Sequence, residues 1–111
     1  MKLIIAYFQP ERLTDVKQAL FRADVTKFSV TTARGCGAQR GDHERYRGTD
    51  VQIDLLPKAR IEVAGYDAFL QPAIDAIMEH AQTEGPDPSG DHGDGKIFVI
   101  PLEDCIRVRT G

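Results

Sequence analysis

The spacing of apolar residues switches repeatedly along this chain between strand-like and helix-like periods, and the order of those switches constrains the fold more than any single motif. Leu3-Ile4-Ile5-Ala6-Tyr7-Phe8 is a short apolar run closed by Pro10, which suits a buried strand better than a helix. Leu13, Val16, Leu20 and Ala23 then recur at helical spacing, with Asp15 near the start and charged residues between them. They predict an amphipathic helix of roughly three turns. Phe28 to Ala33 contains β-branched Val30, Thr31 and Thr32 and predicts a second strand, which Gly35-Cys36-Gly37 breaks. The polar stretch through Gly48, with Tyr46 almost its only apolar residue, predicts a long exposed loop.

Val51, Ile53 and Leu55 alternate with polar neighbours, and Ala59, Ile61 and Val63 resume the alternation, predicting a long third strand bent at Pro57. Phe69, Ala73, Ile74, Ile77 and Ala81 mark a second helix, with Pro72 expected near its first turn, where its missing donor is harmless. Glu84 to Gly95, dense in Gly, Pro and Asp, predicts a second loop. Lys96 to Ile100 follows as a closing strand, and Cys105 to Arg109 as a short final one. Strand, helix, strand, strand, helix, strand with right-handed crossovers is the ferredoxin-like βαββαβ arrangement, an antiparallel sheet with two helices on one face. The expected class is α+β, with residues 1–111 as a single domain.

Composition excludes several alternatives. With 41% hydrophobic and 28% charged residues, a disordered chain, a collagen-like repeat and a coiled coil are ruled out. The longest apolar run falls far short of the ~20 residues that span a bilayer, and Pro10 and Glu11 leave no cleavable signal pattern. Fourteen basic against 17 acidic residues give a net charge of −3, which disfavours non-specific nucleic-acid binding. Cys36 and Cys105 form no C-x-x-C unit, so a cytoplasmic protein with two reduced thiols is expected. A chain of 111 residues buries only about two-thirds of its unfolded surface and is expected to associate with copies of itself.

Candidate chemistry concentrates near the loops. Gly93-Asp94-Gly95-Lys96 precedes a strand; its glycines let backbone N–H groups approach an anion and its lysine supplies charge, although G-D-G is also an ordinary turn. On a strand, Arg107 and Arg109 would share one face, suited to the oxygens of a polyphosphate or to a solvated edge. No nucleophile elbow, H-E-x-x-H motif or carboxylate cluster appears, and His43, His80 and His92 are scattered. Nothing in the sequence argues for an enzyme.

Read together, several segments resemble the PII signal-transduction proteins of nitrogen regulation, in family order and over essentially the whole chain. They are the first strand ending near Pro10, Arg34-Gly35-Cys36-Gly37, Glu44-Arg45-Tyr46-Arg47-Gly48, Leu56-Pro57-Lys58, Ala81-Gln82-Thr83, Gly93-Asp94-Gly95-Lys96-Ile97-Phe98-Val99 and Ile106-Arg107-Val108-Arg109-Thr110-Gly111. The resemblance implies a homotrimer holding ATP or ADP in each cleft between subunits. It makes residues of about 36–54 the partner-docking T-loop, and those of about 83–95 the phosphate-wrapping B-loop. Nucleotide contacts implied in this way are Ser29, Gly35, Cys36, Gly37, Ala38, Gln39, Ala64, Gly93, Asp94, Gly95, Lys96, Arg107 and Arg109. Gln39, Gly41 and Lys58 match a 2-oxoglutarate site, with Gln39 also a ligand of ATP-bound Mg²⁺. Tyr46 and Arg47 are implied in docking to a membrane transporter or a regulatory enzyme.

This sequence departs from the family pattern at several points. Val51 stands where the family has a modified tyrosine, so uridylylation there is excluded. Ala38 replaces a common arginine at the γ-phosphate end, and Gln9 a common lysine near the oxoglutarate site. The B-loop is lengthened around Pro86-Asp87-Pro88-Ser89-Gly90-Asp91. The leading expectation is a trimeric adenylate sensor acting in nitrogen regulation. The alternative is an adenylate sensor of another small anion, such as bicarbonate, that regulates a transporter or carbon metabolism.

Overall fold

A computed structural model describes residues 1–36, 55–83 and 94–111. Four strands and two α-helices occur in the order β1 (Lys2–Phe8), α1 (Leu13–Arg22), β2 (Ser29–Gly35), β3 (Leu56–Gly65), α2 (Asp67–His80) and β4 (Gly95–Pro101), with a 3₁₀ turn at Pro10–Arg12 leading into α1. All neighbouring strands are antiparallel, in the order β2-β3-β1-β4. This is the ferredoxin-like α+β arrangement that the alternating periods predict.

Alternation along the central strands builds a one-sided core. Ile4, Ala6 and Phe8 of β1 and Ala59, Ile61 and Val63 of β3 are buried, as are Val16, Ala19 and Leu20 of α1 and Leu70, Ala73, Ala76 and Ile77 of α2. They form a single cluster, so both helices cover the same face. The other face carries Leu3, Ile5 and Tyr7 of β1 and Lys58, Arg60, Glu62 and Ala64 of β3. The helix ends are tied down locally. Beyond α1, Asp24 adopts a left-handed φ of 66° while Val25 N–H reaches Leu20 O at 2.8 Å, the hydrogen-bond pattern of a Schellman cap. At the end of α2, Arg12 Nε donates to His80 O at 3.0 Å.

Two expectations are corrected. Cys105 to Arg109 is not a strand: among the described residues the segment pairs with no other, Ile106 and Val108 are exposed, and a turn closes through Gly111 N–H on Arg107 O at 3.0 Å. Alternation alone makes no strand, because a ladder needs a partner for its backbone groups. The described third strand begins at Leu56, and Pro57 within it pairs with Arg34 in the part of β3 that β1 does not reach, while residues 51–54 of the predicted strand lie outside the described residues. A proline is tolerated there because only one flank of the strand must bond. Pro72 is the sixth residue of α2, deeper than its first turn. It lies on the solvent side while Leu70, Ala73 and Ile77 bury the opposite stripe, so packing holds the helix through it. The remaining bounds shift by one or two residues, with β2 running on through Gly35 and β4 starting at Gly95.

Candidate functional site

Both long loops leave the same end of the sheet. β2 ends and β3 begins at the pair Gly35↔Leu56, while β4 begins at Gly95, opposite Phe8. Around this end the described residues supply two lysines. Lys58 lays its stem over Gly35, whose Cβ, if present, would lie 3.4 Å from Lys58 Cγ. Lys96 faces Tyr7 across the β1–β4 ladder. Neither ammonium makes an ion pair or hydrogen bond with another described residue.

Gly95 is fixed by its surroundings. Its φ is +136°, and a Cβ there would fall 2.1 Å from Tyr7 O. No other residue fits without moving the strand. Asp94, next to it, accepts hydrogen bonds at Oδ1 from Thr83 N–H at 3.1 Å and from the Thr83 hydroxyl. The carboxylate thus clasps the two ends of the intervening segment together. A cleft of about 390 Å³ opens beside this clasp, walled by Tyr7, Ile77, Met78, Gly95 and Lys96 among others.

A second hollow of about 470 Å³ lies on the β2 side, lined by Leu3, Thr26, Lys27, Phe28, Ser29, Glu62 and Ala64. Ser29 sits directly opposite Glu62, and Leu3 opposite Ala64. The acid belongs to a polar row on the open face. Arg60 Nη1 ion-pairs with Glu62 Oε2, and Arg60 Nε donates to Tyr7 Oη at 3.0 Å. The hydrogen bond to Tyr7 raises the guanidinium pKa above its ordinary value; desolvation, the next largest effect, opposes it, and the charge of Glu62 adds a smaller rise.

The predicted residues therefore fall into two groups, one reaching the β2 edge and the other the β4 edge. Ser29 and Ala64 line the β2-side hollow, whereas Asp94, Gly95 and Lys96 lie at the β4 edge. Three strand spacings of about 4.8 Å separate those edges by roughly 14 Å. Arg107 and Arg109 follow β4 beyond Pro101, which pairs with Lys2 at the far end of the sheet from Gly95. Neither guanidinium makes an ion pair or hydrogen bond with another described residue. Gly35 and Lys58 are in contact at the loop end, and Cys36 is exposed just after β2. Gly37, Ala38, Gln39, Gly41, Tyr46, Arg47, Val51 and Gly93 lie outside the described residues, as does most of both loops.

The family model described as nitrogen regulatory protein P-II matches residues 1–111. This chain belongs to the P-II family. A nitrogen regulatory protein P-II of Azospirillum brasilense is 44% identical over 111 residues, all of this chain and 94% of that protein. The nitrogen regulatory protein P-II 2 of Methanothermobacter thermautotrophicus is also 44% identical over 111 residues, again all of this chain and 91% of the relative. A protein of Methanosarcina mazei named nitrogen regulatory protein GlnK1 is 46% identical over 110 residues, 99% of this chain and 91% of that one. P-II proteins are homotrimeric regulators rather than enzymes.

For a P-II protein, the exposed apolar side chains on β4 have a ready explanation. Phe98 and Ile100, on the face shared with Leu3 and Ile5, are 48% and 39% exposed in the single chain, a surface that further copies of the chain can cover. Among the described residues no helix is long and apolar enough to cross a membrane, and no group of three or more His, Cys, Asp or Glu could hold a metal ion. Sequence reading overlooked Glu62, Arg60, Tyr7 and the Thr26–Phe28 wall. A signal was present: Arg60-x-Glu62 puts opposite charges on one face of a strand whose other residues are mostly apolar.

Proposed function

We propose that this chain is a P-II regulator that binds ATP or ADP between two copies of itself and controls a partner protein through residues 36–54, in nitrogen regulation. The separation of the two half-sites carries this reading. The hollow runs from the β2 edge across β3 to Leu3 of β1, whereas the glycine–lysine corner lies at the β4 edge near the Phe8 end of the sheet, so a ligand that uses both fits where the edge of one copy meets that of another. A trimer places three such junctions in a ring.

Charge orients the ligand. Glu62 repels phosphate from the β2-side hollow and accepts hydrogen bonds there, which suits the amino and hydroxyl groups of a nucleoside. Gly95 and Lys96 lie at the loop end, where backbone N–H groups and an ammonium without an ion pair among the described residues favour phosphate. Arg107 and Arg109 complete the anion site from the C-terminal segment of a neighbouring copy. Asp94 serves by clasping Thr83 rather than by touching phosphate. Ser29 and Ala64 flank the base, while Gly35, Cys36, Gly37, Ala38, Gln39 and Gly93 bring backbone groups to the phosphates. Lys58, beside Gly35, is placed to pair with a carboxylate of 2-oxoglutarate. Gln39 and Gly41 share that effector site, Gln39 as ligand of an ATP-bound Mg²⁺, and Tyr46 and Arg47 meet a membrane transporter or a regulatory enzyme.

Calorimetric titration with ATP and with ADP, each with and without Mg²⁺ and 2-oxoglutarate, tests this directly. The expected result is nucleotide binding to a trimer, with ATP and 2-oxoglutarate each raising the affinity of the other by the same factor. A protein that binds neither nucleotide would overturn the reading. Nucleotide binding indifferent to 2-oxoglutarate would retain the adenylate site and turn the search to other anions, bicarbonate first.

A further inference from the structure

We infer that Tyr7 and Arg60 are positioning residues that hold the Glu62 carboxylate ready for the nucleoside, an inference that rests on the nucleotide reading above. Three observations carry it. Arg60 uses two nitrogens of one guanidinium at once: Nε donates to Tyr7 Oη at 3.0 Å, and Nη1 pairs with Glu62 Oε2. Because the guanidinium is planar and rigid, fixing Nε fixes the direction in which Nη1 points. Tyr7 therefore sets where the charge that anchors Glu62 stands.

The tyrosine is itself held. Its ring lies edge-on to Phe98 at 6.4 Å between centroids, and the Arg60 carbon Cζ lies 5.8 Å from the ring centre on the other strand. Backbone register supports the same placement, since Tyr7 and Arg60 are paired residues of the β1–β3 ladder. Finally, Glu62 has spare capacity. Oε2 is engaged by Arg60, whereas Oε1 makes no hydrogen bond to another described residue and the side chain lines the β2-side hollow. A carboxylate anchored by one oxygen and open at the other is an acceptor with little orientational freedom left to lose on binding.

The test is a double-mutant cycle on the full chain, reading ATP affinity by calorimetry in wild type, Tyr7→Phe, Glu62→Gln and the double variant. Tyr7→Phe keeps the ring and removes only the oxygen that orients Arg60. It should weaken ATP binding about threefold to tenfold, the loss typical of one net hydrogen bond. Glu62→Gln should weaken binding at least as much. In the Glu62→Gln background, adding Tyr7→Phe should change nothing further, because the group it positions is gone.

Multiplied losses in the double variant would mean that Tyr7 acts on its own, overturning the inference while leaving the nucleotide site intact. Unchanged affinity in Tyr7→Phe would do the same. Arg60→Lys provides an independent arm, since an ammonium keeps charge beside Glu62 but lacks the planar fork that joins it to Tyr7. It should match the Tyr7→Phe loss, and an unaltered affinity there would also overturn the inference. A wild-type protein that bound no nucleotide would remove the ground for both claims, an outcome visible before any variant is made.

Discussion

On β1, Ile4, Ala6 and Phe8 are sealed beneath the helices, whereas Leu3, Ile5 and Tyr7, one residue out of step, stand half-buried on the open face. β3 divides in the same way, Ala59, Ile61 and Val63 inward and Lys58, Arg60 and Glu62 outward. The closed face is apolar throughout and no buried polar side chain interrupts it among the described residues. Its residues are interchangeable in chemistry and differ only in shape. The open face is where charges pair, where the β2-side hollow lies and where copies of the chain can meet. Stability and recognition therefore alternate residue by residue along the same two strands.

Phe8→Ala is the strongest challenge to that division. It empties a fully buried site and should cost about 3–5 kcal/mol. Tyr7→Phe, its immediate neighbour, should cost about 1 kcal/mol or less, one net hydrogen bond. Denaturant melts at one fixed protein concentration check both, since association makes apparent stability concentration-dependent. Comparable losses in the two variants would mean that the open face is as much a part of the core as the closed one.

Gly95→Ala comes next. The left-handed φ and the overlap with Tyr7 O should cost roughly 1–3 kcal/mol, and the shifted strand start should also lower nucleotide affinity. Affinity unchanged at reduced stability would separate the glycine from the site. Thr83→Val is milder. It removes the hydroxyl donor to Asp94 but leaves the backbone N–H, so a loss of about 1 kcal/mol is expected. Amide exchange at Lys96 and Ile97 should quicken before that of β1, because the clasp secures the start of β4 and not the sheet centre.

The closed face was legible because its information is local. Periods of two and of three to four residues depend only on neighbours in sequence, and they identify both helices, all four strands and the helix-covered side. The polar row was not legible because Tyr7 and Arg60 are 53 residues apart and meet only through strand register. Ser29 and Ala64 were reached through family resemblance and stand together in one hollow. Ile106, Arg107, Val108 and Arg109 show the converse: they alternate like a strand but join no ladder among the described residues. Alternation describes two faces; pairing decides whether they exist.

The smallest expected effect asks whether the two faces can be separated at all. Asp24 ends α1 in the left-handed region, a place where glycine avoids the strain a side chain brings, and the next residues lead to the Thr26–Ser29 wall of the hollow. The cap it completes is otherwise in good order, with Val25 buried against the core and bonded back to Leu20. Asp24→Gly should relieve the strain at the cost of a more flexible unfolded chain, a net gain of about 0.5–1 kcal/mol. Because the substitution alters neither the cap's hydrogen bonds nor any lining residue, nucleotide affinity should remain within twofold. A stabilised protein with altered affinity would mean that the turn transmits strain from the helical layer into the hollow, and the division between closed and open faces would then end at residue 24.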